Sequence, residues 1–192
     1  MPQLLKSMKN ATECIKNIST SLRSADTEHK VSADIHLGLD STLMILKYRL
    51  KANRERPEIQ VMKEYGEFSE VECFPGQLNQ VFMNIIANGI DVFDEVAQDL
   101  SYSEIEAQSL RITIKTALLT KKNVVKIMIE DNGKGMTPEV KSRIFDHLFT
   151  TKGVGKGTGL GLAIVRQIVV EKHGGTIDCI CLLYTSPSPR DA

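Results

Sequence analysis

The chain has 192 residues, 42% hydrophobic and 25% charged. That is the balance of one globular domain with a small appendage, not of a disordered tail, a collagen-like repeat or a full-length coiled coil. Lys and Arg total 24, as do Asp and Glu, so the basic excess of a nucleic-acid binder is absent and no nucleic-acid partner is expected.

Leu4, Met8, Ala11, Cys14, Ile15, Ile18 and Leu22 recur at steps near three and four. They predict a helix that ends near residues 24–26. Its seam is heptad-like and suits helix–helix packing, with an ordinary amphipathic helix as the alternative. A short strand is expected over 31–35. A helix over 41–52 follows, with Leu39, Leu43, Leu46 and Leu50 on one side and Asp40 or Ser41 as cap. Residues 58–65 alternate and predict a strand with Ile59 and Val61 on one face. Another short strand covers 71–74, and Pro75-Gly76 reads as a turn. Residues 77–100 predict a long helix with a wide apolar stripe of Leu78, Val81, Phe82, Ile85, Ile86 and Ile90.

The polar stretch 101–109 reads as a loop. Two β-rich runs, 110–118 and 124–129, flank a Thr-Lys-Lys-Asn turn and are expected to pair antiparallel. Thr137 should cap a short helix that starts at Pro138. A further helix over 160–172 should stop at His173-Gly174-Gly175, and the alternating run 176–181 reads as a strand. The order of elements gives an α+β fold, a mixed sheet with helices on one face. Residues 182–192 end in Ser-Pro-Ser-Pro and resemble a translated sequencing-adapter scar, with a natural disordered terminus as the alternative. They are left out of fold reasoning.

The four cysteines, Cys14, Cys73, Cys179 and Cys181, lack Cys-x-x-Cys spacing, so neither zinc nor a disulfide framework is indicated. A reduced, cytoplasmic compartment is the default expectation. No apolar run is long enough to cross a bilayer.

Four blocks carry chemistry. Asn84, Asn88 and Asp91 lie at i, i+4 and i+7, so they share one face of an otherwise apolar helix. An amide oxygen there is a hard ligand that suits Mg²⁺, which keeps waters and bridges to phosphate. Next, Asp131-Asn132-Gly133-Lys134-Gly135 ends a strand; its glycines admit a flat ligand, and its carboxylate can accept from an exocyclic amine. The third block, 144–152, offers Phe145, Phe149 and Lys152, which suits a mobile lid carrying a cation for phosphate. Last, Lys156-Gly157-Thr158-Gly159-Leu160-Gly161-Leu162 runs into a helix, as a phosphate-cradling loop does. It is neither a P-loop nor a complete dinucleotide fingerprint.

In this order the blocks resemble the ATP-binding domain shared by sensor histidine kinases, DNA gyrase B, Hsp90 and MutL, and they are most similar to the histidine kinases. The resemblance covers about residues 31–180. It implies a two-layer Bergerat-type sandwich over 30–181, with 1–26 as the second helix of a dimerisation hairpin. It also implies ATP and Mg²⁺ as cofactors, Asn88 as the metal ligand and Asp131 as the holder of the adenine amine. Gly133 and Gly135 would shape the pocket floor, and Phe145 and Phe149 would mark the F box. Gly157, Thr158, Gly159, Leu160, Gly161 and Leu162 would wrap the phosphates, with Lys152 and Lys156 as lid cations.

In ATP-hydrolysing relatives the position four before the metal Asn holds a Glu that activates water. Here it is Asn84, a poor general base. Gly89 stands where the family usually has Ala. None of the histidines (His29, His36, His147, His173) lies on the first helix. The resemblance therefore implies a phosphoacceptor His upstream of Met1, a homodimer through the hairpin and a response regulator as partner. A gyrase- or Hsp90-type ATPase clamp and a non-catalytic nucleotide module are the alternatives.

Overall fold

The computed structural model describes residues 29–152 and 157–181. The helix expected over 4–22, the tail 182–192 and Lys156 lie outside the described residues.

The fold is mixed α+β. Strand β1 (Val31–Ala33) pairs antiparallel with β3 (Val71–Cys73) in a two-stranded sheet. The larger sheet has the order β2 (Gln60–Glu64), β4 (Arg111–Leu119), β5 (Val124–Asp131). β2 runs parallel to β4, with Gln60 opposite Arg111, and β4 and β5 form the expected antiparallel hairpin. Asn123 turns that hairpin at φ +48°, a left-handed conformation that Asn tolerates.

Between β2 and β4 the chain carries the long helix α2 (Pro75–Asp99) across the sheet, beside α1 (Ile35–Leu50). Their apolar stripes meet the inner face of β4. Leu39, Ile86, Ile90, Ile114 and Val165 are fully shielded there. The expected stripe of Leu39, Leu43, Leu46 and Leu50 is buried as a whole.

Several expectations need correction. α1 begins at Ile35, not 41, so β1 ends at Ala33. Asp34 caps the helix, its carboxylate accepting from the His36 N–H at 2.8 Å. Asp40 instead accepts from the Tyr65 hydroxyl at 2.9 Å and pairs with Lys63 at 2.7 Å. Gly38, a helix-weakening residue, lies where the helices cross; a Cβ there would meet Asn79 Oδ1 at 2.5 Å and push that side chain aside. Pro75 and Gly76 are not a turn but the first turn of α2, where a missing N–H costs nothing.

The expected loop 101–109 contains a helix, α3 (Tyr102–Gln108). Ser101 starts it by donating its N–H (2.8 Å) and hydroxyl (2.6 Å) to Glu104, which hold that carboxyl below its ordinary range. Ile105 anchors the helix in the core. Helix α4 (Pro138–Arg143) is capped by Thr137 as expected. Helix α5 (Gly161–Arg166) continues over Gln167–Lys172 as wider π turns. They stop at His173, whose Nδ1 bonds the Ile168 carbonyl at 2.9 Å while Nε2 accepts from the Phe74 N–H at 3.1 Å. No strand forms over 176–181. Ile177 packs on the core, but no described strand pairs with that run.

Candidate functional site

The polar face of α2 gathers the four blocks. Asn84 is half-buried, and its Nδ2 donates to the Gly161 carbonyl at 3.3 Å. That bond ties the middle of α2 to the first turn of α5. A Cβ at Gly161 would make only ordinary contact there, 3.7 Å from Asn84 Cγ. One turn on, Asn88 Oδ1 accepts from the Lys152 ammonium at 3.4 Å, and the same ammonium forms an ion pair with Asp91.

Asp131 ends β5 beside the same helix. Its Oδ1 accepts the Gly133 N–H at 3.0 Å, which fixes the carboxylate over the loop. Gly133 is obligatory by space: a Cβ would lie 2.5 Å from Val92 Cγ1 and 2.8 Å from Asp131 Oδ1. Gly135 sits at φ +70°, where a side chain is strained. Asn132 pins the loop from behind. Its Oδ1 accepts from Arg111 N–H at 2.7 Å, and its Nδ2 donates to the Gln108 and Ser109 carbonyls at 3.2 Å. Lys134 turns away to pair with Glu95 on α2 at 2.9 Å.

Phe145 and Phe149 are both half-buried, and the Arg143 guanidinium lies 4.5 Å from the Phe149 ring centre. Leu148 between them is at φ +63° and 72% exposed. Gly159, at φ +65°, lies against it so closely that a Cβ would be 2.4 Å from the Leu148 carbonyl carbon. Gly157 packs in the same way on Thr150 and Lys152. Thr158 accepts the Leu160 N–H at 3.4 Å. Leu160 is exposed, while Leu162 packs on the core. Of the candidate site residues, only Lys156 lies outside the described residues.

Sequence reasoning missed a chain of charges behind the site. Asp91 takes Arg49 Nη2 on its other oxygen at 2.5 Å; Arg49 also reaches Asp94 at 3.4 Å; Arg56 Nε donates to Asp94 at 2.6 Å. The signal available was Asp91, on the Asn84/Asn88 face.

α2, the Asp131 loop and the start of α5 lie together around the Asn84–Asp91 face. Among the described residues no cysteine thiol is activated there. Burial pushes the Cys73 and Cys179 thiols above their ordinary value, so neither is a thiolate at neutral pH. A divalent cation fits the donor set, because Asn88 and Asp91 present two hard oxygens that already hold a cationic group, Lys152.

Gly89 lies between the Asn face and Asp131. A Cβ there would make ordinary contacts, 3.6 Å to Ile112 Cδ1 and 3.7 Å to Asp131 Cβ. Gly89→Ala is therefore expected to stabilise the protein by about 0.5–1 kcal/mol through helix propensity. Thermal melting should show a rise of about 1–4 °C; a lowered midpoint would mean that the Asp131 loop cannot accept even a methyl group.

The family model described as "Histidine kinase-, DNA gyrase B-, and HSP90-like ATPase" matches residues 74–190. The sensor histidine kinase ZraS of Escherichia coli O157:H7 is 31% identical over 172 residues, 88% of this chain and 31% of that protein. The sensor protein TdiS of Thauera aromatica is 35% identical over 101 residues, 53% of this chain and 16% of that protein. This chain thus spans a third or less of the length of these relatives. Among solved structures, a nucleotide-free form of the catalytic domain of histidine kinase ThkA superposes with a TM-score of 0.58. That match has 24% identity and covers 77% of this chain and 84% of the other.

Proposed function

Since this chain belongs to the histidine kinase-, DNA gyrase B- and HSP90-like ATPase family, we propose that it is the Mg·ATP-binding catalytic domain of a two-component sensor histidine kinase. The observation that carries this reading is the convergence of four sequence blocks on one face of α2, with Asn84 bonded to Gly161 and Asn88 to Lys152. In this reading Asp131 accepts from the adenine amine, and Gly133 and Gly135 admit the ring. Phe145 and Phe149 border the base. Gly157, Thr158, Gly159, Leu160, Gly161 and Leu162 line the polyphosphate, with Lys156 beside them. Asn88 would hold Mg²⁺, which when bound supplies charge neutralisation for the phosphates.

The protein's part in phosphoryl transfer is then positioning and charge stabilisation. The acceptor is a histidine outside these residues. His36 is stacked on Tyr65 and bonded to Thr116, and both ring nitrogens of His173 are engaged. Onward transfer would go to an aspartate of a response regulator, and a homodimer through the hairpin would bring donor and acceptor together. A clamp-type ATPase is disfavoured by Asn84, whose amide is uncharged and spent on the Gly161 carbonyl.

Turnover tests the choice. Mg·ATP should bind while hydrolysis stays near background. Asn84→Glu should raise hydrolysis about tenfold or more, as general-base catalysis permits. A wild-type rate like that of the hydrolysing relatives would return the clamp reading to first place.

A further inference from the structure

The Lys152 ammonium rests on two oxygens of α2, Asn88 Oδ1 at 3.4 Å and Asp91 Oδ2. Asn88 and Asp91 are three residues apart, so both oxygens face the same side of the helix. The pair is partly shielded, with 24% of the Lys152 side chain and 29% of the Asp91 side chain exposed. Asp91 is oriented before any ligand arrives. Arg49 holds its Oδ1 at 2.5 Å, and Arg49 is itself steered by Asp94, which Arg56 grips at 2.6 Å from a nearly solvent-free position. Oδ2 is thereby left to the cation on the Asn88 side.

We propose that Asn88 and Asp91 together form a divalent-metal site, and that Lys152 is an internal cation which holds that site in the ligand-free protein and is displaced by the metal. The inference rests on the nucleotide reading above and adds to it Asp91 as an oxygen ligand and Lys152 as a competitor. The physical reason is charge. A carboxylate facing a polyphosphate site repels the ligand unless a cation covers it. Lys152 covers it first; a metal with more charge replaces it; the released ammonium, on its flexible stem, is then available to phosphate oxygens. Two protein oxygens are few for a metal, but Mg²⁺ usually completes its shell with water and phosphate. Metal loading and release of Lys152 from α2 are then one event.

The test uses the 192-residue chain and Mn²⁺ alone, without nucleotide, with free and bound metal counted by electron paramagnetic resonance. Wild type should bind Mn²⁺ weakly. Lys152→Met should tighten binding about tenfold, the effect of removing a competing positive charge. Lys152→Arg, which keeps the charge, should bind as weakly as wild type. Adding Asp91→Asn to Lys152→Met should cancel the gain. Bound Mn²⁺ should also broaden the Asn88 side-chain amide resonance. Unchanged Mn²⁺ affinity in Lys152→Met, or a gain that survives Asp91→Asn, would overturn the proposal and leave the contact a plain surface ion pair. Calorimetry with ATP separates this from the parent reading. ATP binding that needs Mg²⁺ but is indifferent to Lys152 and Asp91 sinks the inference alone. No ATP binding with or without Mg²⁺ sinks the nucleotide reading.

Discussion

Arg56→Ala is expected to lower the unfolding free energy by about 2–4 kcal/mol, the loss of several charge-assisted hydrogen bonds made by a buried guanidinium. The Arg56 residue is 1% exposed. Its Nη2 donates to the Arg49 carbonyl at 2.5 Å, and its Nη1 donates to the Lys51 and Pro57 carbonyls at 3.2 Å. Arg49 lies in the last turn of α1, where carbonyls have no helical partner. The guanidinium therefore ends the helix, closes the 51–57 loop and pairs with Asp94 at once. Asn53 fixes the same loop by accepting the Glu55 and Arg56 N–H groups. Arg56→Lys should recover little, because an ammonium cannot reproduce the planar fork. Urea unfolding should show a lowered midpoint at unchanged slope. A loss under about 1 kcal/mol would mean that water satisfies the three carbonyls and that the residue is not a staple.

The contrast between Arg56 and Leu39 shows what a sequence can tell. Leu39, Leu43, Leu46 and Leu50 declare their face by spacing, because burial of apolar surface repeats with the helix. Arg56 has no period, and its place depends on the local loop carbonyls together with a carboxylate brought from α2. The start of α1 was obscured for a related reason. Leu37, Met44, Ile45 and Tyr48 stand exposed on its outer side, so the helix is apolar on both faces and its period blurs.

Alternation over 176–181 was read correctly as a pattern, since Ile177, Cys179 and Cys181 are the more buried positions. A ladder also needs a neighbouring strand, which spacing does not reveal. The polarity of 101–109 gave the loop expectation, whereas the Ser-x-x-Glu pair of Ser101 and Glu104 marks the start of α3. In the site, the four blocks were legible because backbone-dictated residues (Gly135, Gly159) and a polar face on an apolar helix leave local marks. Which lysine meets which oxygen was not, because Lys152 and Asp91 are joined by the tertiary fold alone.

Asp131→Asn is expected to weaken ATP binding by about 10–100-fold, the loss of a hydrogen bond to a charged acceptor together with a new donor clash. The direction follows from the loop. Asp131 Oδ1 already accepts the Gly133 N–H at 3.0 Å, and that N–H still needs an acceptor after the substitution. The asparagine oxygen must stay there, so its amide nitrogen takes the place of Oδ2. A carboxylate oxygen that could receive the adenine amine becomes an NH₂ group that opposes it. Guanine carries a carbonyl acceptor where adenine carries the amine. The variant should therefore lose ATP while narrowing or inverting its preference over GTP. Because the Gly133 bond survives, the melting temperature should change little. Calorimetry with both nucleotides on both proteins decides the matter. Equal affinity of the wild type for ATP and GTP, unmoved by the substitution, would remove Asp131 from the base and leave it as a turn residue that only shapes the loop.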